Sequence, residues 1–219
     1  SVSNSSEASV IVGKKNLTVT GAAVISKDYD GNTNATITGA TLTGVVGSDI
    51  VTLGTATSGT FVHAGIGTAL AVATSMTISG SEAGNYNLMQ PALTGNITVK
   101  PVTVTANALQ SKVYGVADPI LTYSISPALI SGDAFTGILS RTSGENIGTS
   151  YTISQGTLDA GANYAITFVT DNFAITARPV TVTAVALQTK IYGASDPTVF
   201  AYTITPVLES GDTFTGSLD

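Results

Sequence analysis

The sequence has no cysteine and no tryptophan, and His63 is its only histidine. Without cysteine there is no disulfide framework, no thiolate nucleophile and no cysteine-bound metal. A hydrolase built on His63 would need an acid and a nucleophile that converge on it. The chain also lacks a Gly-x-Ser-x-Gly nucleophile motif. We therefore expect the protein not to be an enzyme.

Positive charge is scarce as well. Only 10% of the 219 residues are charged, Lys and Arg together number 8, and the net charge is −6. Nucleic acids and anionic lipids are bound by basic surfaces, so we expect neither as a partner. No apolar run reaches the ~20 residues of a membrane span. The N-terminal residues lack the basic region and the apolar region of a signal peptide, so a secreted protein would be seen here in mature or excised form.

An internal repeat dominates what the sequence does contain. Residues 101–119 (PVTVTANALQSKVYGVADP) recur as residues 179–197 (PVTVTAVALQTKIYGASDP), and a divergent third copy begins at residues 15–31 (KNLTVTGAAVISKDYDG). Such repeats indicate an array of modules that pack on their neighbours. We define module 1 as residues 15–99, module 2 as residues 100–177 and module 3 as residues 178–219, the first half of a further module. Residues 1–14 are predicted to be the last strand of a preceding module.

The modules follow one another without a linker. The last strand of each runs through a basic residue, Lys100 or Arg178, directly into the first strand of the next. A Gly/Ser-rich linker would make the chain flexible. We therefore predict that the modules are arranged end to end in an elongated rod.

The pattern within a module predicts strands. In module 2, valine, isoleucine and tyrosine alternate with threonine and serine over short segments that are separated by Gly, Asp and Pro turns. We predict a mainly β fold of small modules, either β-sandwich or β-grasp-like. Tyr123, Tyr164 and Phe173 share the apolar side of their strands and are predicted to form the structural core, although stacking on sugars is an alternative role for such rings.

An ordered set of motifs resembles two known domain families. Residues 112–119 (KVYGVADP), Ser131-Gly132-Asp133, residues 144–148 (GENIG) and Asn163-Tyr164 resemble the MBG domain of the YGX type. Residues 27–31 (KDYDG) resemble the YDG domain. The resemblance implies tandem β-rich repeat units of large bacterial surface or secreted adhesin-like proteins, and it implies no catalytic residues.

This resemblance favours a structural stalk at the bacterial cell surface or outside the cell. Its partners would be the neighbouring modules of the same chain. Two alternatives remain open. The modules could bind host or matrix glycans such as mucin, or the chain could be a subunit of an extracellular filament in which copies of it associate.

A calcium site is the first candidate for chemistry. Asp28, Asp30 and Asn32 place oxygen side chains at alternate positions, and Ca²⁺ prefers such oxygen ligands. However, position 39 is Gly39, where an EF-hand loop needs a Glu. Because Asp, Asn and Gly are also the residues of turns, we predict a turn without a cofactor and keep Ca²⁺ as the alternative.

Two further sets of residues recur at equivalent module positions. Asp49, Asp133 and Asp212 follow Gly-Ser or Ser-Gly, and we predict that they cap the backbone of a turn, with metal binding between modules as the alternative.

Lys27, Lys112 and Lys190 each lie two residues before a tyrosine. We predict surface lysines whose stems cover apolar surface. The alternative is a covalent cross-link between Lys112 and Asn163 that a buried carboxylate promotes.

Overall fold

The protein consists almost entirely of β-strands, and a computed structural model describes residues 10–216. Strands make up 43% of the structure. Between residues 10 and 216 there is no α-helix, and a 3-10 turn spans Ala83–Asn85. The predicted mainly β class is therefore confirmed. The rod arrangement stays a prediction.

Module 1 forms three sheets. Its strands are β1 (Lys15–Thr20), β2 (Ala23–Val24), β3 (Lys27–Asp28), β4 (Asn34–Thr38), β5 (Thr41–Thr43), β6 (Thr52–Gly54), β7 (Ser58–Phe61), β8 (Gly67–Ala73), β9 (Thr77–Ser79), β10 (Tyr86–Met89) and β11 (Leu93–Thr98). The sheet orders are β10–β1–β5, β2–β4–β7–β8–β11–β3 and β6–β9. Residues 10–14 form no strand and 1–9 lie outside the described residues, so the strand predicted over 1–14 stays a prediction.

Modules 2 and 3 contain the remaining strands. These are β12 (Lys100–Ala106), β13 (Gln110–Val113), β14 (Tyr123–Ser126), β15 (Ser140–Arg141), β16 (Ser150–Ser154), β17 (Tyr164–Val169), β18 (Asn172–Thr176), β19 (Thr181–Ala184) and β20 (Tyr202–Thr205). The sheet orders are β14–β12–β17, β13–β18–β16–β15 and β19–β20. Module 3 contributes only the two-stranded sheet, and none of its described residues is buried.

The sequence repeat is also a structural repeat. In module 1, β3 and β11 pair in parallel with Lys27 opposite Ile97. In module 2, β13 and β18 pair in parallel with Lys112 opposite Ile175. The tyrosine that follows each lysine is held in the same way, because the Tyr29 and Tyr114 N–H groups donate to threonine carbonyls at 2.8 and 2.9 Å.

The compact units of the fold do not coincide with the modules. Unit 1 comprises Ser1–Thr103, Ile125–Thr136 and Asp159–Thr167, and unit 2 comprises Val104–Ser124, Gly137–Leu158 and Phe168–Asp219. Unit 1 thus combines module 1 with three segments of module 2. Unit 2 combines the rest of module 2 with module 3.

The core of unit 1 has contributions from both modules. Tyr29, Phe61 and Ile97 of module 1 pack with Val102 and Tyr164 of module 2, and all five are buried. Burial of apolar surface is the main favourable term in folding. Module 1 and three segments of module 2 are therefore stabilised together, across the boundary that the sequence repeat defines.

The predicted core aromatics differ in burial. Phe173 is fully buried, and Tyr164 is 8% exposed. Tyr123, in contrast, is only half-buried, and its neighbour in the alternation, Ile125, is 36% exposed. The prediction for Tyr123 is wrong because β14 is an edge strand of its three-stranded sheet, so strand alternation does not guarantee a covering layer.

Candidate functional site: a tyrosine–aspartate joint between modules

The joint begins with a tight turn that each module repeats. The N–H groups of Asp49, Asp133 and Asp212 each donate to the carbonyl oxygen three residues earlier, at 3.0 Å in all three cases. The residue before Asp133 and Asp212 is a glycine with φ near +98°, a conformation that favours glycine. The Ser-Gly-Asp sequence therefore folds into a turn whose last residue is the aspartate.

A tyrosine of the same module binds this aspartate. The Tyr86 hydroxyl donates to Asp49 Oδ2 and the Tyr164 hydroxyl to Asp133 Oδ2, both at 2.6 Å. Each hydroxyl also accepts the N–H of the first turn residue, Val46 at 3.0 Å or Ile130 at 2.8 Å. The turn and the strand that carries the tyrosine are thus fixed to each other.

A second tyrosine reaches the aspartate from the preceding module. The Tyr29 hydroxyl of module 1 donates to Asp133 Oδ2 of module 2 at 3.0 Å. The Tyr114 hydroxyl of module 2 donates to Asp212 Oδ1 of module 3 at 3.2 Å. At Asp133 the two rings pack edge to face, with 5.5 Å between the centroids of Tyr29 and Tyr164. The same contact therefore occurs at two successive module boundaries.

The carboxylates keep these tyrosines protonated. The pKa of Tyr29 is raised chiefly by its hydrogen bond to Asp133, and the pKa of Tyr114 by its bond to Asp212. Asp49 raises the pKa of Tyr86 in the same way. For Tyr164 burial is the larger cause of the raised pKa and the Asp133 hydrogen bond the next. A phenolate beside a carboxylate would be repelled, so the joint requires neutral tyrosine.

A glycine next to the incoming tyrosine allows the close approach. Gly31 has φ +76°, and a Cβ at this position would lie 2.6 Å from Ile130 Cγ2. Gly115 has φ +81°, and a Cβ there would overlap the Glu209 carboxylate. Ile130 and Glu209 are the equivalent first residues of the aspartate turn. The Tyr-Asp-Gly and Tyr-Gly motifs therefore combine a hydroxyl donor with a glycine that the first residue of the turn approaches closely.

Two known domain families match the segments that contain these motifs. The YDG domain family matches residues 13–94, and the MBG domain family (YGX type) matches residues 102–174. The chain carries a YDG domain followed in tandem by an MBG domain. Domains of both families occur in extracellular or surface proteins, where they fit repeat modules of large chains. No curated protein and no solved structure matches the chain significantly.

No helix within residues 10–216 has the length and apolar character needed to span a membrane.

The joint corrects the role predicted for the recurring aspartates. The Asp133 carboxylate of the MBG domain accepts tyrosine hydroxyls from both domains instead of capping a turn. The sequence repeat could have indicated this tyrosine–aspartate pairing, because an aspartate and two tyrosines recur in every complete module. Sequence reasoning treated the aspartates and the tyrosines separately and so missed their pairing.

The predicted calcium ligands of the YDG domain bind an ammonium group. Lys27 Nζ donates to Asp30 Oδ1 at 2.8 Å and to the Asn32 carbonyl and Oδ1 oxygens at 2.8 and 3.0 Å. Partial burial acts to raise the pKa of Asp30, but the hydrogen bonds from Lys27 and from the Asn32 N–H together outweigh it, so the pKa is lowered. Asp28 accepts instead from Thr98 Oγ1 at 2.7 Å. A cation at Asp30 would therefore have to displace Lys27. The expectation of a turn without Ca²⁺ stays a prediction.

Lys112 of the MBG domain is not the surface lysine that was predicted. Its side chain is only 6% exposed, and Nζ lies 2.7 Å from Asp118 Oδ1 and 2.6 Å from Glu145 Oε2. Arg141, a residue that sequence reasoning missed, binds the same two acids at 2.6 and 2.7 Å. The pKa of Asp118 is lowered to about 2, and the hydrogen bond from Arg141 is the largest cause of this shift.

The proposed cross-link partner of Lys112 has other contacts. Asn163 Oδ1 accepts the N–H of Ile66 at 3.3 Å, and the Asn163 carbonyl accepts the N–H of Lys100 at 2.9 Å. The two residues of the alternative cross-link are thus each engaged in a separate set of interactions. Asn163 joins the YDG domain to the first strand of the MBG domain.

Proposed function

We propose that this chain is a load-bearing stalk segment of a large surface-exposed protein. The observation that carries the proposal is the joint between consecutive modules. A tyrosine of one module binds the turn aspartate of the next at two successive boundaries, and at the first of these the two modules also share a hydrophobic core. At the first boundary, tension on the chain would have to break buried contacts before the modules could separate.

The distribution of aromatic side chains also supports a structural role. Of the 14 tyrosine and phenylalanine residues, Tyr192 and Phe214 are exposed, and both lie in module 3. A glycan-binding module would present aromatic rings together on an accessible surface. Of the other twelve rings, six are buried and six are half-buried. This distribution favours the stalk over glycan binding, and no enzymatic activity is part of the proposal.

Force spectroscopy on the full chain, held at its two ends, tests the proposal. Tyr29→Phe removes the intermodule hydroxyl and keeps the ring. Tyr151→Phe is the matched control, because Tyr151 is also buried and its hydroxyl donates at 3.0 Å to the Asn146 carbonyl within module 2. We expect Tyr29→Phe to lower the force at which unit 1 unfolds. The control should leave that event unchanged. If the wild-type chain extends at forces too small to resolve, the stalk proposal is wrong.

A further inference from the structure

The sheets of modules 1 and 2 can be matched strand by strand. β11 pairs in parallel with β3 and antiparallel with β8, and β18 pairs in parallel with β13 and antiparallel with β16. β7 then pairs with β8 as β15 pairs with β16, and Phe61 of β7 corresponds to Arg141 of β15. β7 and β15 are therefore equivalent strands.

The sheet of module 1 continues beyond β7. β4 pairs antiparallel with β7 and places Ala35 opposite Gly59. The Phe61 N–H donates to the Thr33 carbonyl oxygen at 2.7 Å. Ala35 and Ile37 of β4 are buried, and the polar residues that alternate with them are exposed. The outer edge of β7 is thus covered by an uncharged strand in which apolar and polar residues alternate.

The sheet of module 2 stops at β15, which is the last strand in its order. The Thr142 N–H, just after β15, donates to the Thr152 carbonyl oxygen of β16 at 2.9 Å. Because the backbone groups of an antiparallel strand alternate between its two sides, those of Leu139 and Arg141 face away from β16. An edge of this kind is a template for a further strand.

The sequence of module 2 explains the open edge. Residues 117–122 follow Tyr114 as β4 follows Tyr29, but they form no strand. Pro119 lies among them and has no N–H to donate, and fewer residues separate Tyr114 from β14 than separate Tyr29 from β5. Module 2, all of which the structure describes, therefore has no equivalent of β4. The MBG family match covers this whole region, so the open edge lies inside a complete domain.

A groove of about 560 Å³ lies along this edge, and its lining includes residues 118–121 and 138–141. Ile120 and Ile138, from the two sides of the lining, are 86% and 67% exposed. The acids of the groove, Asp118 and Glu145, are both bound by Lys112 and Arg141. The groove thus combines apolar walls with charges that are already paired, which suits an uncharged occupant.

We infer that this groove binds an extended segment of a partner protein, which adds to β15 as the strand that module 2 lacks. The segment has the chemistry of β4, because it is uncharged, free of proline, and alternates small or β-branched apolar residues with polar ones. Its backbone pairs with that of Leu139 and Arg141, and it covers Ile120 and Ile138. Main-chain hydrogen bonds supply affinity in this mode of recognition, and alternate side chains supply specificity. The inference goes beyond the stalk proposal and does not depend on it.

Fluorescence anisotropy with the full chain and a labelled peptide of residues 33–39 (TNATITG) tests the inference. N-methylation of Ala35 removes an N–H on the side of β4 that faces β7. N-methylation of Thr36 is the matched control, because the Thr36 backbone faces the other side, where its carbonyl oxygen accepts the Ile25 N–H at 2.9 Å. We expect the unmodified and the Thr36-methylated peptides to bind equally, and the Ala35-methylated peptide to bind about tenfold more weakly, the effect of one lost hydrogen bond.

Hydrogen exchange and two protein variants locate the peptide. The amides of Leu139 and Arg141 should exchange more slowly when the peptide is bound, and the amide of Val116 should not change. Ile120→Trp places a larger ring in the groove from an exposed position and should weaken binding. Val116→Trp is the matched control, because Val116 is exposed in the same loop but does not line the groove.

The inference is wrong if the peptide binds the wild-type chain more weakly than about 1 mM, the weak limit of specific association. It is also wrong if both methylations weaken binding equally, if the Leu139 and Arg141 amides are unaffected, or if Ile120→Trp binds like the wild type. Association of the chain with itself that Ile120→Trp abolishes would assign the edge to a second copy, which overturns the assignment to a partner segment. None of these outcomes changes the force measurement on a single chain.

Discussion

Replacing Asp133 with alanine should destabilise unit 1 more than any other single loss of a polar group in the joint. Asp133 accepts the hydroxyls of Tyr164 and Tyr29, at 2.6 and 3.0 Å. Both tyrosines are only 8% exposed, so neither hydroxyl has free access to water when its acceptor is lost. The Tyr164 hydroxyl would still accept the Ile130 N–H but would have no acceptor for its own proton.

The expected loss of stability in Asp133→Ala follows from the number of hydrogen bonds that the charged Asp133 side chain accepts. Hydrogen bonds to charged groups contribute about 1.5–3 kcal/mol each, and an unsatisfied buried donor costs about 1–3 kcal/mol. Asp133 itself is half-buried, so water can enter the space that its side chain leaves. We therefore take the low end of the range and expect Asp133→Ala to lower the free energy of unfolding by about 3 kcal/mol. Asp133→Asn retains an acceptor oxygen and should lose roughly half of that.

Urea denaturation followed by tyrosine fluorescence measures the loss, and hydrogen exchange assigns it to unit 1. The chain has no tryptophan, so tyrosine emission is not masked. Asp212→Ala is the matched comparison. Asp212 is exposed and accepts one tyrosine hydroxyl, at 3.2 Å, so its replacement should cost clearly less. A loss below about 0.5 kcal/mol for Asp133→Ala, the usual size for an inert surface change, would refute the argument that the joint is a buried and stabilising contact.

Four further predictions test other parts of the structure. Gly31→Ala should destabilise the protein more than Gly161→Ala in chemical denaturation. Both glycines have positive φ, but of the two only Gly31 has a neighbour that a Cβ would meet. Equal losses of stability would mean that the Ile130 side chain moves aside at no cost. The raised pKa values of the joint tyrosines mean that their stabilising contribution is present below pH ~10 and is lost as the pH rises through the folded-state values, so tyrosinate absorbance should appear at higher pH in the wild type than in Asp133→Asn. Asp118, with a pKa of about 2 instead of 3.8, contributes stability that is present above pH 3.8 and lost as the pH falls towards 2. Asp118→Asn should therefore flatten the acid limb of the stability curve, and an unchanged limb would contradict the ion network. Finally, amides of β19 and β20 should exchange faster than those of β16 and β18 in monomeric protein, since no residue between 178 and 216 is buried. Equal protection would show that this half-module folds alone.

Much of the local structure could be predicted from the sequence because it depends on near neighbours. Alternating apolar and polar residues indicated the strands, and the repeat indicated equivalent positions in each module. The parallel pairings of Lys27 with Ile97 and of Lys112 with Ile175 bear out that alignment residue by residue. Turn residues such as Ser131-Gly132-Asp133 also lie in a turn.

The sequence did not reveal which elements pack together. The burial of Tyr29 depends on segments of module 2 about 100 residues away, and the exposure of Tyr123 on the edge position of its strand. The charged residues show the same limit. Lys112 and Arg141 are nearly covered because two carboxylates meet them from other turns, and no local pattern brings those four residues together. Long-range partners therefore decided both the core and the joint.

The offset between the repeat in the sequence and the compact unit in space has a consequence for how such arrays change in length. Every complete module carries an aspartate turn for its predecessor and a tyrosine–glycine turn for its successor. An unequal recombination event that inserts or deletes one whole repeat therefore creates a new boundary at which the same two turns meet. An insertion or deletion that does not comprise whole repeats would separate a tyrosine from its aspartate and leave half of a core exposed. Gain and loss of whole repeats is thus the kind of length variation that this architecture accepts without compensating substitutions.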